Sequence, residues 1–455
     1  KYISTRSKEK EYSFGEVFLK GLADDGGLYV PKSIKKYNSA ELSKLKNLNY
    51  NELSTEIISQ FSGDFISREE LSSLIKKSYS TFREKEVVKL SNVGEIKLLE
   101  LFHGPTLAFK DVAMQFIGNL YDYYLSKNDK KINIVVATSG DTGAAAIDAI
   151  KGKSNLNIFV LHPNNRISSV QRKIMTTVEE KNVFNIAIDG NFDDCQNIVK
   201  QMFSDLEFSK SINMSGVNSI NWARIIAQAV YYFYAHFKLE KDNISFSVPT
   251  GNFGDVFAGY LAKKMGLPID KLIVATNEND ILHRAITKGD YISKEVRETL
   301  SPSMDIQLAS NFERLIYYVN NSNSEKTAEI MKKVKKNSYQ IEKRDLDIIQ
   351  KDFLSESCNE KETLGIIKKN YEENGVVLDP HTAIGVGAAQ KLSLNDCVVL
   401  STAHPCKFPD ATNNAINKHE KLPKELQHVL NKNENFQVLK NSTDEVKKFI
   451  KSKIL

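Results

Sequence analysis

The stretch Leu98-Leu99-Glu100-Leu101-Phe102-His103-Gly104-Pro105-Thr106-Leu107-Ala108-Phe109-Lys110-Asp111 decides how the rest of the chain is read. Residues 96–101 form a short apolar run with the length of a strand, Gly104-Pro105 make a turn, and Lys110 then stands in the first turn of a helical pattern. The positive end of a helix disfavours an ammonium by roughly 0.3–1 kcal/mol. An apolar pocket of Leu107, Ala108 and Phe109 adds desolvation in the same direction. Bringing a lysine from about 10.4 to near neutrality takes about 4 kcal/mol, so burial has to supply most of it. A lone lysine at a helix start is ordinarily a solvated surface residue, and Lys110 gains weight only from its company.

Outward from this stretch, apolar runs alternate with helical patterns. The runs are residues 96–101, 132–138, 157–162, 183–188, 212–216, 244–248, 272–276 and 397–402. Most are near-continuous rather than alternating, the signature of parallel strands buried on both faces. The predicted class is therefore α/β with open twisted parallel sheets, in which ligands sit beyond the carboxyl ends of strands. Ahead of it, residues 1–93 read as a separate, mainly helical unit, with Ser13 and Glu16 at capping-box spacing and helical patterns over 39–47, 50–61 and 67–78. Residues 222–237, interrupted by Arg224, Gln228 and His236, read as a buried helix. The segment 295–375, rich in Lys, Glu, Asn and Ser, reads as exposed helices inserted before the last strand, and 421–455 as a surface tail with a helix over 443–450.

Two strand-to-helix turns supply the company. Ala137-Thr138-Ser139-Gly140-Asp141-Thr142-Gly143 follows one apolar run, and Val248-Pro249-Thr250-Gly251-Asn252-Phe253-Gly254-Asp255 follows another. Glycines permit close backbone approach, and hydroxyls and amides at a helix start are donors for a carboxylate or phosphate. Either turn alone reads equally as an ordinary connection with a capping aspartate. Neither has the dinucleotide or P-loop spacing, which weakens nicotinamide or ATP chemistry. A lysine amine, a backbone cradle for phosphate and a separate carboxylate loop together suit pyridoxal phosphate acting on an amino acid. The lysine holds the aldehyde, the cradle holds the cofactor phosphate, and the loop orients the substrate so that its Cα–H breaks perpendicular to the ring.

Composition excludes several other classes. The 62 Lys and Arg against 57 Asp and Glu leave a charge of +5, interleaved as in Glu342-Lys343-Arg344-Asp345, which is a solvated surface. The isoelectric point near 8.6 is below the value of about 9 that marks a nucleic-acid footprint, and the run Lys332-Lys333-Val334-Lys335-Lys336 has no interleaved aromatics, so no nucleic-acid partner is expected. Cys195, Cys358, Cys397 and Cys406 are far apart without paired spacing, which favours a reducing compartment, the cytoplasm. No metal site is expected, because no histidine pair has zinc spacing. The first ten residues lack the apolar core of a secretory signal, and no run is long enough to span a bilayer.

At these motifs the chain resembles the threonine synthases of the long microbial and fungal type, within the tryptophan synthase β-like group of pyridoxal phosphate enzymes (fold type II). The resemblance rests on residues 98–111, 137–145, 186–195, 218–224, 248–255, 275–277 and 401–408, with residues 14–31 similar to the family's amino-terminal segment. It implies a helical domain over 1–93, a larger cofactor-binding domain from 94–130 and 240–455, and a smaller α/β domain over 131–239. It implies Lys110 as the Schiff-base lysine and Gly251, Asn252, Phe253, Gly254 and Asp255 as the cofactor-phosphate turn. Thr402 would lie beside the pyridine nitrogen; a hydroxyl leaves that nitrogen mostly unprotonated and limits racemisation and transamination. Ser139, Gly140, Asp141 and Thr142 resemble the substrate-carboxylate loop, although the broader group usually has Asn in place of Asp141, so the donor to the cofactor's phenolic oxygen is left unassigned.

Asn218, Ser219 and Arg224 are the candidates for the substrate phosphate, since a charged fork with two neutral donors suits a dianion; a helix start with a buried arginine is the equal alternative. Cys406, where relatives are expected to carry a small alanine, reads as a tolerated core residue. The reaction implied is O-phospho-L-homoserine and water giving L-threonine and phosphate, by a monomer or homodimer. Another enzyme of the group, such as a threonine dehydratase or cysteine synthase, and a non-catalytic relative with a decayed site are the rival readings.

Overall fold

The buried apolar runs assemble into two sheets, and a third, small one joins the amino-terminal segment to itself. A computed structural model describes residues 1–394 and 396–454. The strands are β1 (Tyr2–Ser4), β2 (Tyr29–Pro31), β3 (Lys89–Val93), β4 (Ile96–Glu100), β5 (Ile132–Ala137), β6 (Leu156–Pro163), β7 (Val183–Asp189), β8 (Met214–Ser215), β9 (Ile244–Pro249), β10 (Ile269–Thr276), β11 (Phe353–Ser357), β12 (Cys397–Ser401) and β13 (Gln437–Lys440). The larger sheet has the order β11-β10-β9-β12-β4-β3, and the smaller has β13-β7-β6-β5-β8. All pairs in both are parallel except β3 with β4. Central strands β9 and β12 are buried at every residue, as strands with helices on both faces are; β9 meets this with two small serines, Ser247 Oγ donating to Gly385 O (2.6 Å). The class is thus the one expected, with β3 as an antiparallel edge.

The amino-terminal helices form where the capping signals put them. Ser13 and Glu16 make both bonds of the capping box at the helix Phe14–Lys20, and Tyr50–Ser62 and Arg68–Tyr79 begin with capping boxes of their own. Their apolar faces continue into the core of the rest of the chain: the Phe18 ring lies 4.3 Å from Tyr121, and Phe61 lies 5.9 Å from Trp222. The residues read as a separate unit therefore share one apolar core with the helices Lys110–Asn128 and Trp222–Leu239. The latter is buried over nearly its whole length, as predicted. No helix among the described residues is long and apolar enough to cross a membrane.

Two expectations are corrected. The segment 295–375 is not merely a set of exposed helices: Phe312–Val319 is buried, with Arg314 at 0% exposure, and Phe353–Ser357 is edge strand β11, parallel to β10. An edge strand needs few apolar contacts, and here only Phe353 and Ser355 are buried, so the polar composition conceals it. The final segment is not a loose tail of the larger domain. β13 pairs in parallel with β7 of the smaller sheet, and the helix Thr443–Ile454 buries Val446 and Ile450 in the cluster that holds Cys195 and Ile198.

Candidate active site

Lys110 begins the helix Lys110–Asn128, at the carboxyl end of β4. The turn before it is hooked to the end of β12: Leu101 N–H donates to Ser401 O (2.9 Å), Phe109 N–H to Thr402 O (2.8 Å) and His404 N–H to Leu107 O (3.0 Å). Asp111 folds back to accept from Thr106 N (2.8 Å) and Oγ1 (2.5 Å). A Cβ on Gly104 would sit 2.4 Å from Asp111 Cβ, so the turn requires glycine there. Arg83 clasps the turn from outside, donating to Phe102 O (2.7 Å) and Gly104 O (2.9 Å). Lys110 is 9% exposed. Burial pushes its amine down to about 8; Asp141 opposes that fall, while Arg224 and Lys407 assist it.

The nearest charges form a group that sequence reasoning only partly found. Asp141 Oδ2 lies 3.8 Å from Lys110 Nζ, and Oδ1 lies 2.5 Å from Lys407 Nζ. Lys407 is fully buried and also donates to Thr106 O (2.9 Å). Burial alone would raise the Asp141 carboxyl, but Lys407 and Lys110 outweigh it and hold Asp141 well below the usual carboxylate range. A carboxylate committed in this way cannot receive a substrate carboxylate. Of the expected loop, Ser139 and Thr142 are left with amides and hydroxyls for that purpose, while the Gly140 amide is spent inside the turn, where Thr138 Oγ1 accepts from the amides of Gly140 (3.0 Å) and Gly143 (2.9 Å). Lys407 ends the short turn Pro405–Lys407 beyond β12, and its apolar neighbours Cys406 and Phe408 were a signal present in the sequence. Cys406 is a buried free thiol, its pKa pushed up to about 12 by burial.

The second turn meets Lys110 at Ser303. Ser303 Oγ is 3.4 Å from Lys110 Nζ, and Ser303 O lies 2.4 Å from where a Cβ on Gly251 would stand. The lysine and the glycine turn thus converge on one residue. His381 Nε2 accepts from Ser303 N–H (3.3 Å), and its Nδ1 contacts Asp379 Oδ1 at 2.9 Å, which places the imidazole proton on Nδ1. Asp379 caps the helix Pro380–Lys391, a Pro-started helix that Asp379-Pro380 could have signalled. Phe253 precedes the helix Gly254–Lys264 with φ 65°, a left-handed conformation that a phenylalanine adopts at a cost, here offset by ring packing on Phe312 and Phe353. The first amides of that helix have no carbonyl four residues back and are free for an anion.

Asp255 does not face this anion site: its Oδ1 accepts from Tyr231 (2.5 Å) and Tyr232 (3.0 Å), and burial pushes the carboxyl up to about 7. Asn252 contributes backbone, its carbonyl taken by Asn311 N (3.2 Å) and Nδ2 (3.1 Å). Thr402 is 4% exposed, with its amide on Thr382 Oγ1 (3.3 Å). Arg224 is 4% exposed and donates through Nη1 to Val217 O (3.1 Å), while its buried Nε has no partner among the described residues. Ser219 is half-buried and Asn218 exposed on the loop ahead of it.

An orphaned buried guanidinium nitrogen, a depressed amine and a helix start whose nearest carboxyl is turned away make a donor set for two anions and an aldehyde. Pyridoxal phosphate fits it. Comparison with known proteins agrees. Family models match over residues 1–79 (Threonine synthase N terminus), 86–336 (Pyridoxal-phosphate dependent enzyme) and 382–450 (Threonine synthase, C-terminal). The chain is 44% identical to a threonine synthase of Pseudomonas aeruginosa, over 99% of this chain and 98% of that one. It is 45% identical to that of Saccharomyces cerevisiae, over 94% and 93%. The crystal structure of a PLP-bound threonine synthase from Brucella melitensis superposes with a TM-score of 0.96 at 43% identity, covering 99% of each chain.

Proposed function

The chain belongs to the threonine synthase family of pyridoxal phosphate enzymes, and from that premise we propose how its own residues divide the work. Its reaction converts O-phospho-L-homoserine and water to L-threonine and phosphate, the last step of threonine biosynthesis. When bound, pyridoxal phosphate supplies an aldehyde that an amine can attack and a ring that accepts the electron pair released at the substrate Cα.

Lys110 Nζ holds that aldehyde at rest. With the cofactor loaded and the substrate amine in its place, Lys110 Nζ would be the base for the protons at Cα and then at Cβ. Its low amine pKa leaves a sizeable fraction neutral near physiological pH. Ser303 Oγ, 3.4 Å away, aligns it. The amides of Gly251, Asn252, Phe253 and Gly254 grip the cofactor phosphate, with Asp255 anchoring the turn from behind through Tyr231 and Tyr232. Thr402 is the partner of the ring nitrogen. Ser139 and Thr142 orient the substrate carboxylate, Gly140 shapes the turn through its bond to Thr138, and Asp141 balances Lys407 beside them. Arg224, with Asn218 and Ser219, receives the substrate phosphate through the unpartnered Nε. Burial of Lys110, Asp141, Arg224, Thr402 and Lys407 keeps water from the reacting end of the site until the one that adds at Cβ.

The observation that carries this assignment is the meeting of the lysine and the glycine turn at Ser303. Lys110→Ala tests it: visible absorbance of the cofactor-loaded protein disappears and phosphate release from O-phosphohomoserine falls by about 10²–10⁴-fold or more. A variant with normal turnover overturns it. Parallel assays with serine, threonine and O-acetylserine separate the reaction from those of related enzymes. As to setting, we read the enzyme as a cytoplasmic monomer or homodimer without a nucleic-acid partner, a reading supported by four buried free thiols and by interleaved surface charge.

A further inference from the structure

A fully buried arginine that has no carboxylate partner is expensive, because its five donors must all find acceptors away from water. Arg314 is such a residue. It donates through Nε to Tyr29 O (3.0 Å), through Nη2 to Ile220 O (2.7 Å) and through Nη1 to Asn311 Oδ1, and its guanidinium lies 5.3 Å from the centre of the Trp222 ring. The neighbouring carboxylate, Glu313, is engaged elsewhere, by Thr5 Oγ1 (2.6 Å) and a two-pronged bond from Arg6 (2.9 and 2.8 Å). If only packing mattered at this position, an apolar side chain would serve at lower cost.

Asn311, likewise at 0% exposure, continues the connection. Its Nδ2 donates to Ser219 O (3.3 Å) and Asn252 O (3.1 Å). It sits 3.3 Å from where a Cβ on Gly254 would stand. The two side chains therefore bind the backbone of the glycine turn on one side and the backbone of Ser219 and Ile220, just ahead of Arg224, on the other. These segments come from different sheets' connections and meet nowhere in sequence.

We propose that Asn311 and Arg314 form a positioning clamp that fixes the spacing between the turn 251–254 and the loop ahead of Arg224, so that cofactor phosphate and substrate phosphate are held at one matched distance. The inference rests on the reading above that these two segments hold those two anions.

The test uses the full chain carrying Asn311→Ala or Arg314→Lys; lysine keeps the charge but loses the planar fork. Pyridoxal phosphate is titrated into apoprotein and followed by visible absorbance, KM and kcat are measured with O-phosphohomoserine, and thermal melting is recorded. The expected result for both variants is a rise of about tenfold or more in the cofactor Kd and in KM, with kcat within about threefold. Asn311→Ser, which keeps a donor in place, recovers part of both. Should these variants be insoluble, Arg6→Ala loosens the same segment from a partly exposed position and is expected to raise KM about threefold. Unchanged Kd and KM beside a lowered melting temperature would show a purely structural role and overturn the clamp. A wild-type protein that does not turn over O-phosphohomoserine would instead strike the functional reading, while the cofactor titration still reports on the clamp.

Discussion

Lys110 and Lys407 share one carboxylate, that of Asp141. Burial brings the Lys110 amine down to about 8, against the pull of Asp141, and the charges of Arg224 and Lys407 add to the fall. The attacking form is the neutral amine, so the rate at which apoprotein takes up pyridoxal phosphate rises with pH and levels off above that value. Lys407→Met removes the repulsion and leaves Asp141 to attract the Lys110 proton. The inflection is expected to move upward by about one unit, and loss of the buried partner to lower stability by about 3–5 kcal/mol; an unmoved inflection contradicts the linkage. Asp255 supplies a second pH effect. Burial raises its carboxyl to about 7, so it is protonated in folded and unfolded chains alike below about pH 4. As pH rises from there to 7, only the unfolded chain ionises, and stability falls by on the order of 4 kcal/mol. Asp255→Asn keeps an acceptor for Tyr231 and Tyr232 and has no proton to lose. Denaturant unfolding of apoprotein at pH 5 and pH 8 is expected to show the variant gaining on the wild type as pH rises.

At the scale of elements, the site is made where strand ends give way to helix starts, and the backbone there is specialised. Leu107 and Phe253 both adopt left-handed φ values, 64° and 65°, at a cost of about 1–3 kcal/mol each. Gly251 leaves no room for a side chain, since the obstacle is the Ser303 carbonyl and not a movable side-chain tip. Gly251→Ala is expected to weaken pyridoxal phosphate binding about tenfold or more and to lower stability by about 1–3 kcal/mol, as read by cofactor titration and by unfolding of the apoprotein. Such turns were legible in the sequence because glycine, hydroxyl and strand–helix order are local signals. Strands β11 and β13 were not, because edge strands are half polar and their partners are remote. Ser303, His381 and Asn311 were invisible for a related reason: each acts through hydrogen bonds to segments far away in the chain, and no spacing rule encodes that.

The molecule as a whole gathers its apolar residues across what reads in sequence as separate units. One cluster runs from Tyr2 to Val429, so removing residues 1–79 strips cover from Tyr121 and Trp222. The shortened chain is expected to be insoluble or to bind a hydrophobic dye strongly; a soluble, cofactor-binding product would refute the shared core. The smaller sheet has two fates: Ile134, Val136, Ile158 and Val160 face the shared cluster, and its other face has a cluster of its own closed by Val446 and Ile450. Ile450→Ala is expected to cost about 2–5 kcal/mol in unfolding while leaving the cofactor Kd unchanged. Domain class was legible here because unbroken apolar runs demand burial on two faces, whereas domain membership of the last strand was not, because membership is decided by where the chain returns. That return has a consequence for biosynthesis. β7 ends at Asp189, and the strand that covers its outer edge is not made until residues 437–440. On the ribosome the sheet therefore waits, with open amides and carbonyls able to recruit any neighbouring strand, from the making of Asp189 to that of Gln437.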